Sequence, residues 1–261
     1  MALATILDGA KELLLDSVGA IHAAGIRDYV VIGGWCPYLR NTSSLKHPGT
    51  LDVDILFKEG YQAGALKDAI ASLRGKGFIA SAKHSFQLLR TTVVNQEKLI
   101  YNVDLLHPRM HEEDRGLFID HLELDIPLDV EGRRLKAVTS IAQPCSVVIF
   151  EEQLYSPYEI DGFRFNLVDF TGMFITKMDS CQKVKRERDA LDLYIALKSN
   201  GIDFSMLKKL GSRSERIQKS LAALLHYLGA KSETFDQNVS LFAKTTQSPA
   251  HELATALRVS I

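Results

Sequence analysis

The chain has 261 residues, 46% hydrophobic and 24% charged, with 31 basic against 32 acidic side chains and a formal net charge of −1. That length buries a real core without a disulfide or a structural metal. The balanced charge excludes a global attraction to nucleic acid or to an anionic membrane, leaving only local patches for such contacts.

Residues 3 to 24 carry apolar side chains at Leu3, Ile6, Leu7, Leu14, Val18 and Ile21, a helical spacing that Gly25 stops. Asp8, Lys11 and Glu12 fall inside it, so it reads as a helix and not as a signal peptide. No stretch reaches the roughly 18 uncharged apolar residues of a membrane span, so no membrane partner is expected. The run Tyr29-Val-Val-Ile32 predicts a buried strand ending at Gly33-Gly34, with a short helix starting at Trp35. A polar loop from Asn41 to Thr50 precedes a second strand, Leu51 to Phe57.

Tyr61 to Leu73 predicts a helix, and Phe78–Ala80, Phe86–Val94 and Leu99–Leu106 predict strands, the last two joined by a hairpin over residues 95 to 98. A β pattern continues through 118–150, with Leu122, Leu124, Ile126, Leu128 and Val130 alternating against polar neighbours. From about Val168 helical patterns take over, at 169–198, 203–210, 213–229 and 249–259. The expected organisation is a mixed α/β domain over 1–165 and a helical domain over 166–261. Cys36, Cys145 and Cys181 lie too far apart for a zinc motif or a disulfide framework, which points to a reducing, cytoplasmic setting.

Chemistry concentrates at Asp52-Val53-Asp54. On a strand the two aspartates point one way while Val53, Ile55 and Phe57 enter the core. Two like charges on one face of a buried strand repel and lose hydration, so a hard divalent cation is their natural partner. Asp104 repeats the theme as the single charge in Leu99-Ile-Tyr-Asn-Val-Asp-Leu-Leu106. If the two strands pair, three carboxylates converge, and three carboxylates suit two-metal phosphoryl transfer. Asp52 and Asp54 would bridge the ions, and Asp104 would hold the ion that lowers the acceptor hydroxyl's pKa and could take its proton. Gly33-Gly34 lets the backbone approach a phosphate at a helix start, with Ser43, Ser44 and Thr50 as nearby hydroxyl donors.

These residues resemble the DNA-polymerase-β-like nucleotidyltransferase superfamily. Its pattern is an apolar strand, Gly followed by Gly or Ser, a spacer, Asp-x-Asp on the next strand, and a third carboxylate later. Here it reads Val30-Val-Ile-Gly33-Gly34, residues 35 to 51, Asp52-Val-Asp54, and Asn102-Val-Asp104. Within the superfamily the chain looks most like the AbiEii-type nucleotidyltransferases, toxin components of bacterial toxin–antitoxin and phage-defence systems. The Gly49 to Asp54 motif carries that likeness, together with Lys177 followed by Arg188-Asp189-x-x-Asp192. Gly33-Gly34-Trp35 is also similar to antibiotic nucleotidyltransferases. The spacer is long, and an arginine that often precedes the motif threonine is absent, leaving Lys46 or His47 in its place.

The resemblance implies an α+β fold, a palm-like mixed sheet with helices followed by a helical region. It implies Mg2+ or Mn2+ on Asp52, Asp54 and Asp104. It also implies an NTP substrate contacted by Gly33, Gly34, Thr50, Lys177 and Arg188, and an antitoxin partner. The acceptor hydroxyl could belong to a protein, a tRNA or a small molecule. Lys177, Lys185 and Arg188 share one predicted helical face, either for phosphates or as a solvated face paired with Asp179, Glu187, Asp189 and Asp192. Trp35 could stack on a base or pack a helix on the sheet, and His107 with His111 is a weak transition-metal pair. Two other classes stay open: a glycosyltransferase, which would not explain Asp104, and a non-catalytic binding module.

Overall fold

The structure is a computed structural model, and it describes residues 5–58, 63–94, 96–109, 118–124 and 134–260. The elements, in order, are α1 (Ile6–Ala23), β1 (Tyr29–Ile32), α2 (Trp35–Arg40), β2 (Asp52–Phe57), α3 (Ala63–Gly75), β3 (Ile79–Ala80), β4 (Gln87–Val94) and β5 (Glu97–Pro108). Then come β6 (Phe118–Leu124), β7 (Arg134–Thr139), β8 (Ile141–Gln143), α4 (Val147–Glu151), β9 (Tyr155–Ile160) and β10 (Phe163–Val168). The remainder is helical: α5 (Phe170–Lys177), α6 (Glu187–Lys198), α7 (Phe204–Arg213), α8 (Glu215–Ala230), α9 (Ser232–Ser240) and α10 (Pro249–Ser260). This is a mixed α+β fold with a mixed sheet.

The main sheet runs β3-β4-β5-β2-β1-β10-β9, with β8 beside β5, and β6 and β7 form a separate ribbon. β2 is antiparallel to β1 and parallel to β5, and β5 is antiparallel to β4. A parallel neighbour needs a long crossover, supplied here by α3 and the β3–β4 segment. Helix α1 packs on α3 and against β2, β4 and β5. Thr5 caps its start, accepting the Asp8 amide at 3.1 Å.

Two compact units make up the chain. One comprises 1–32, 50–147 and 157–167; the other comprises 33–49, 148–156 and 168–261. The second holds α2 together with the helices after Val168, and α2 packs on α5 and α6.

Several expectations differ in detail. The pattern over 169–198 is not one helix: α5 stops at Lys177, a single 3-10 turn spans Ser180–Gln182, and α6 restarts at Glu187. Lys183 is extended (ψ 147°) and Lys185 is left-handed (φ 67°), although no glycine or proline marks the break. The β4–β5 hairpin is tighter than the expected 95–98 loop, because Glu97 and Lys98 already pair with Val94 and Val93. Strands β9 and β10 and helix α9 are not in the sequence reading. Ile126, Leu128 and Val130 lie outside the described residues.

Candidate active site

Asp52 faces Asn102, and Asp54 faces Asp104, as Cα partners in the parallel β2–β5 ladder. Partners in a ladder, and residues two apart on a strand, point to the same face, so these four share one. Gln87 joins them as the partner of Asp104 across the antiparallel β4–β5 ladder. On the opposite face Val53 and Ile55 are fully buried and Phe57 is 2% exposed. Burial of side chains like these is worth about 1.5–3 kcal/mol each. A one-residue slip would expose all three and bury both aspartates, so the register is pinned. Apolar alternation on one face thus decides where the acids point.

Asp104 Oδ1 accepts two hydrogen bonds, from Gln87 Nε2 at 2.9 Å and from Asn102 Nδ2 at 3.0 Å. The Thr50 hydroxyl donates to the Asp52 carboxylate. Burial pushes the Asp104 carboxyl above the usual carboxylate range, and the charge of Asp52 adds to the push; the two amides oppose it without cancelling it. Asp52 and Asp104 therefore lie within each other's field. The donors are all hard oxygens, which suit Mg2+ or Mn2+ in kind. Among the described residues, however, no three His, Cys, Asp or Glu side chains are disposed as a metal-holding group. The strand pairing fixes the shared face, while the Asp52 carboxylate meets the Thr50 hydroxyl and the Asp104 carboxylate meets the Gln87 and Asn102 amides.

The other expected site residues lie in the second unit. Gly33 is left-handed at φ 75°, a conformation that glycine adopts without strain. Gly34 is right-handed helical and precedes the six-residue α2, with no side-chain cap. So short a helix offers only a modest field to an anion at its start. Arg188 is half-buried, and its guanidinium donates to the Gly49 carbonyl at 3.4 Å.

Lys177 is buried, 6% exposed, and its ammonium donates to Asp189 Oδ1 at 2.6 Å and to Asp192 Oδ2. Burial works against the ammonium, but the charges of Asp192 and Asp189 outweigh it and hold Lys177 above its ordinary range. Burial likewise works against the Asp192 carboxylate, and Lys177 and His47 together bring it below its ordinary value. The Gly49 amide donates to His47 Nδ1 at 3.0 Å, so the ring proton sits on Nε2, which lies 2.9 Å from Asp192 Oδ1. Lys177, Asp189 and Asp192 make a buried ion-pair network, and His47 joins it by a hydrogen bond.

The helix break explains how this network forms. In one continuous helix Lys177 and Asp189 would be about 18 Å apart along the axis; the turn at 178–186 brings α6 back onto α5 instead. Lys177, Lys185 and Arg188 therefore do not share a helical face: they sit in α5, in the connecting loop and in α6. Only Asp189 and Asp192 of the four acids named as partners meet Lys177.

Trp35 is 2% exposed and packs edge-on against Tyr38, which rules it out as a platform for a base. His107 is buried beside Ser140 Oγ, 2.8 Å from Nδ1, and His111 lies outside the described residues. Cys36 and Cys181 are buried, and burial pushes both thiols far up, so neither is a nucleophile at neutral pH. No helix among the described residues is long and apolar enough to cross a membrane. Gln87 and Asn102 are contacts of Asp104 that the sequence reading did not assign.

No family model matches the chain, and no curated protein matches it. Among solved structures, the crystal structure of an antigenic nucleotidyltransferase-like protein from Paracoccidioides brasiliensis aligns over 95% of this chain and 99% of that one. The two are 14% identical, with a TM-score of 0.44.

Proposed function

We propose that the chain is a metal-dependent nucleotidyltransferase that moves a nucleoside monophosphate from an NTP to a hydroxyl and releases pyrophosphate. One observation carries the reading: Asp54 and Asp104 stand in register on adjacent parallel strands, with Asp52 two residues away on the same face. Asp52, Asp54 and Asp104 are the residues that would hold Mg2+ or Mn2+, which supplies charge neutralisation for the phosphates and acidifies the acceptor hydroxyl.

In the transfer, the acceptor oxygen attacks the α-phosphorus. The bond from that phosphorus to the α–β bridging oxygen breaks, and pyrophosphate leaves with the electron pair. The hydroxyl proton passes to the Asp104 carboxylate. Gly33, Gly34, Thr50 and Arg188 are the nucleotide contacts that the resemblance assigns. Lys177, also on that list, has its charge already matched by Asp189 and Asp192, so its part is to hold α5 to α6. The AbiEii-type likeness extends the reading to a bacterial toxin with an antitoxin partner.

A binding module without catalysis is the second reading. It draws support from the absence, among the described residues, of a ready three-residue metal group. Incubation with each α-labelled NTP, Mg2+ or Mn2+, and protein, RNA and aminoalcohol acceptors separates the two. Label transfer that is lost in Asp52→Ala, Asp54→Ala and Asp104→Ala supports the enzyme. Tight NTP binding with no transfer to any acceptor supports the module.

A further inference from the structure

We propose that Gln87 and Asn102 are positioning residues that grip the Asp104 carboxylate by one oxygen and leave its other oxygen for the cation. The proposal rests on the metal-site reading above and adds two residues to it. Both amides donate to the same atom, Oδ1, at 2.9 and 3.0 Å, and neither bond uses Oδ2. They reach that atom from different strands: Gln87 lies across the β4–β5 ladder from Asp104, and Asn102 lies two residues before it on β5.

Three features argue that the arrangement serves the site. Asn is disfavoured in strand interiors, where its side chain packs poorly, so its use here needs a local reason. Moving along the same face away from Asp104, the next positions are Leu89 and Thr91 on β4 and Ile100 on β5, so the two amides are confined to the acid's own end. Both donors are neutral, too. A lysine or arginine in either place would neutralise Asp104 and compete with a cation, whereas an amide orients the carboxylate and leaves its charge available. Asn102 also faces Asp52 across the β2–β5 ladder, so it stands between two of the acids.

The test is Mn2+ binding to the full chain, followed by electron paramagnetic resonance, for Gln87→Thr, Gln87→Leu, Asn102→Ala and Asp104→Ala, with thermal melts alongside. Loss of a partner that orients a ligand weakens metal binding by about 10–100-fold. That is the expected loss in the Gln87 and Asn102 variants, with melting unchanged; in the labelled-NTP assay the turnover number falls while the NTP KM holds. Wild-type Mn2+ affinity in folded Gln87 and Asn102 variants, beside a clear loss in Asp104→Ala, overturns this inference alone. Wild-type affinity in Asp104→Ala overturns the metal site and the inference together.

Discussion

Asp54 on β2 and Asp104 on β5 stand directly opposite each other in a parallel ladder, two like charges at one rung of a buried sheet. Like charges facing across strands destabilise a sheet. A fold that keeps them at the core's edge, over fully buried Val53 and Ile55, gives up stability at that rung.

Asp104→Asn should therefore melt higher than wild type at pH 7 while losing transfer activity by roughly a hundred-fold or more. The carboxyl's pKa is raised in the fold, so ionisation is penalised there. The penalty is in force above the folded pKa and disappears as pH falls below the unfolded value of about 4. The melting gap between variant and wild type should close over that interval. Differential scanning at stepped pH checks it.

Lys177→Met should cost about 3–5 kcal/mol, because it leaves Asp189 and Asp192 buried without their cation. Urea denaturation measures this, and the double variant Lys177→Met/Asp192→Leu should recover part of the loss. For Asp192, lowered in the fold, the stabilisation is present above the unfolded carboxylate value and fades as pH drops through the folded one. For Lys177, raised in the fold, it is complete below about 10.5 and fades in stronger alkali.

Gly33 and Gly34 should separate. Gly33→Ala forces an L residue to φ 75° and should cost about 1–2 kcal/mol in urea denaturation. Gly34 has ordinary helical angles (φ −68°, ψ −16°), so Gly34→Ala should leave stability nearly unchanged. If the backbone there meets a phosphate, the NTP KM of Gly34→Ala rises all the same.

Gly9 on α1 sits against Tyr101 on β5, and a methyl group there would run into the Tyr101 hydroxyl, which donates to the Ile6 carbonyl at 2.8 Å. Gly9→Ala should cost about 1–3 kcal/mol by overpacking. Adding Tyr101→Phe should cost less than the two single changes summed, since the hydroxyl makes the closest of the collisions; a double-mutant cycle reads this directly.

The sequence carried the site's strands further than its helices. Asp52-Val-Asp54 within an apolar run declares both a strand and its facing, and Asn102-Val-Asp104 does the same, so alternation set Asp52 with Asp54 and Asn102 with Asp104, each pair on one face of its own strand. The parallel pairing that joins them depends on a crossover, which no local pattern encodes. The turn at 178–186 was hidden because Lys183 and Lys185 break the helix without glycine or proline; the gain is the buried Lys177 network, a long-range cause. Helix α9 buries only Phe235 and Val239, too sparse a stripe to announce itself. The β9–β10 hairpin did have a local signal. Asp161-Gly162, both at positive φ, is the two-residue turn that favours such a pair, and Tyr155–Ile160 and Phe163–Val168 flank it. Gln87 was illegible as a site residue because its partner, Asp104, is seventeen positions away and met only through the β4–β5 register.

The most direct measurement is anomalous diffraction from crystals of the wild-type chain grown with Mn2+ and a non-hydrolysable NTP. The account predicts manganese peaks about 2.0–2.2 Å from carboxylate oxygens of Asp52, Asp54 and Asp104, with the α-phosphate on the same ions. Manganese bound to other residues, or an Asp104 carboxylate that ligates nothing while nucleotide is bound, would contradict it.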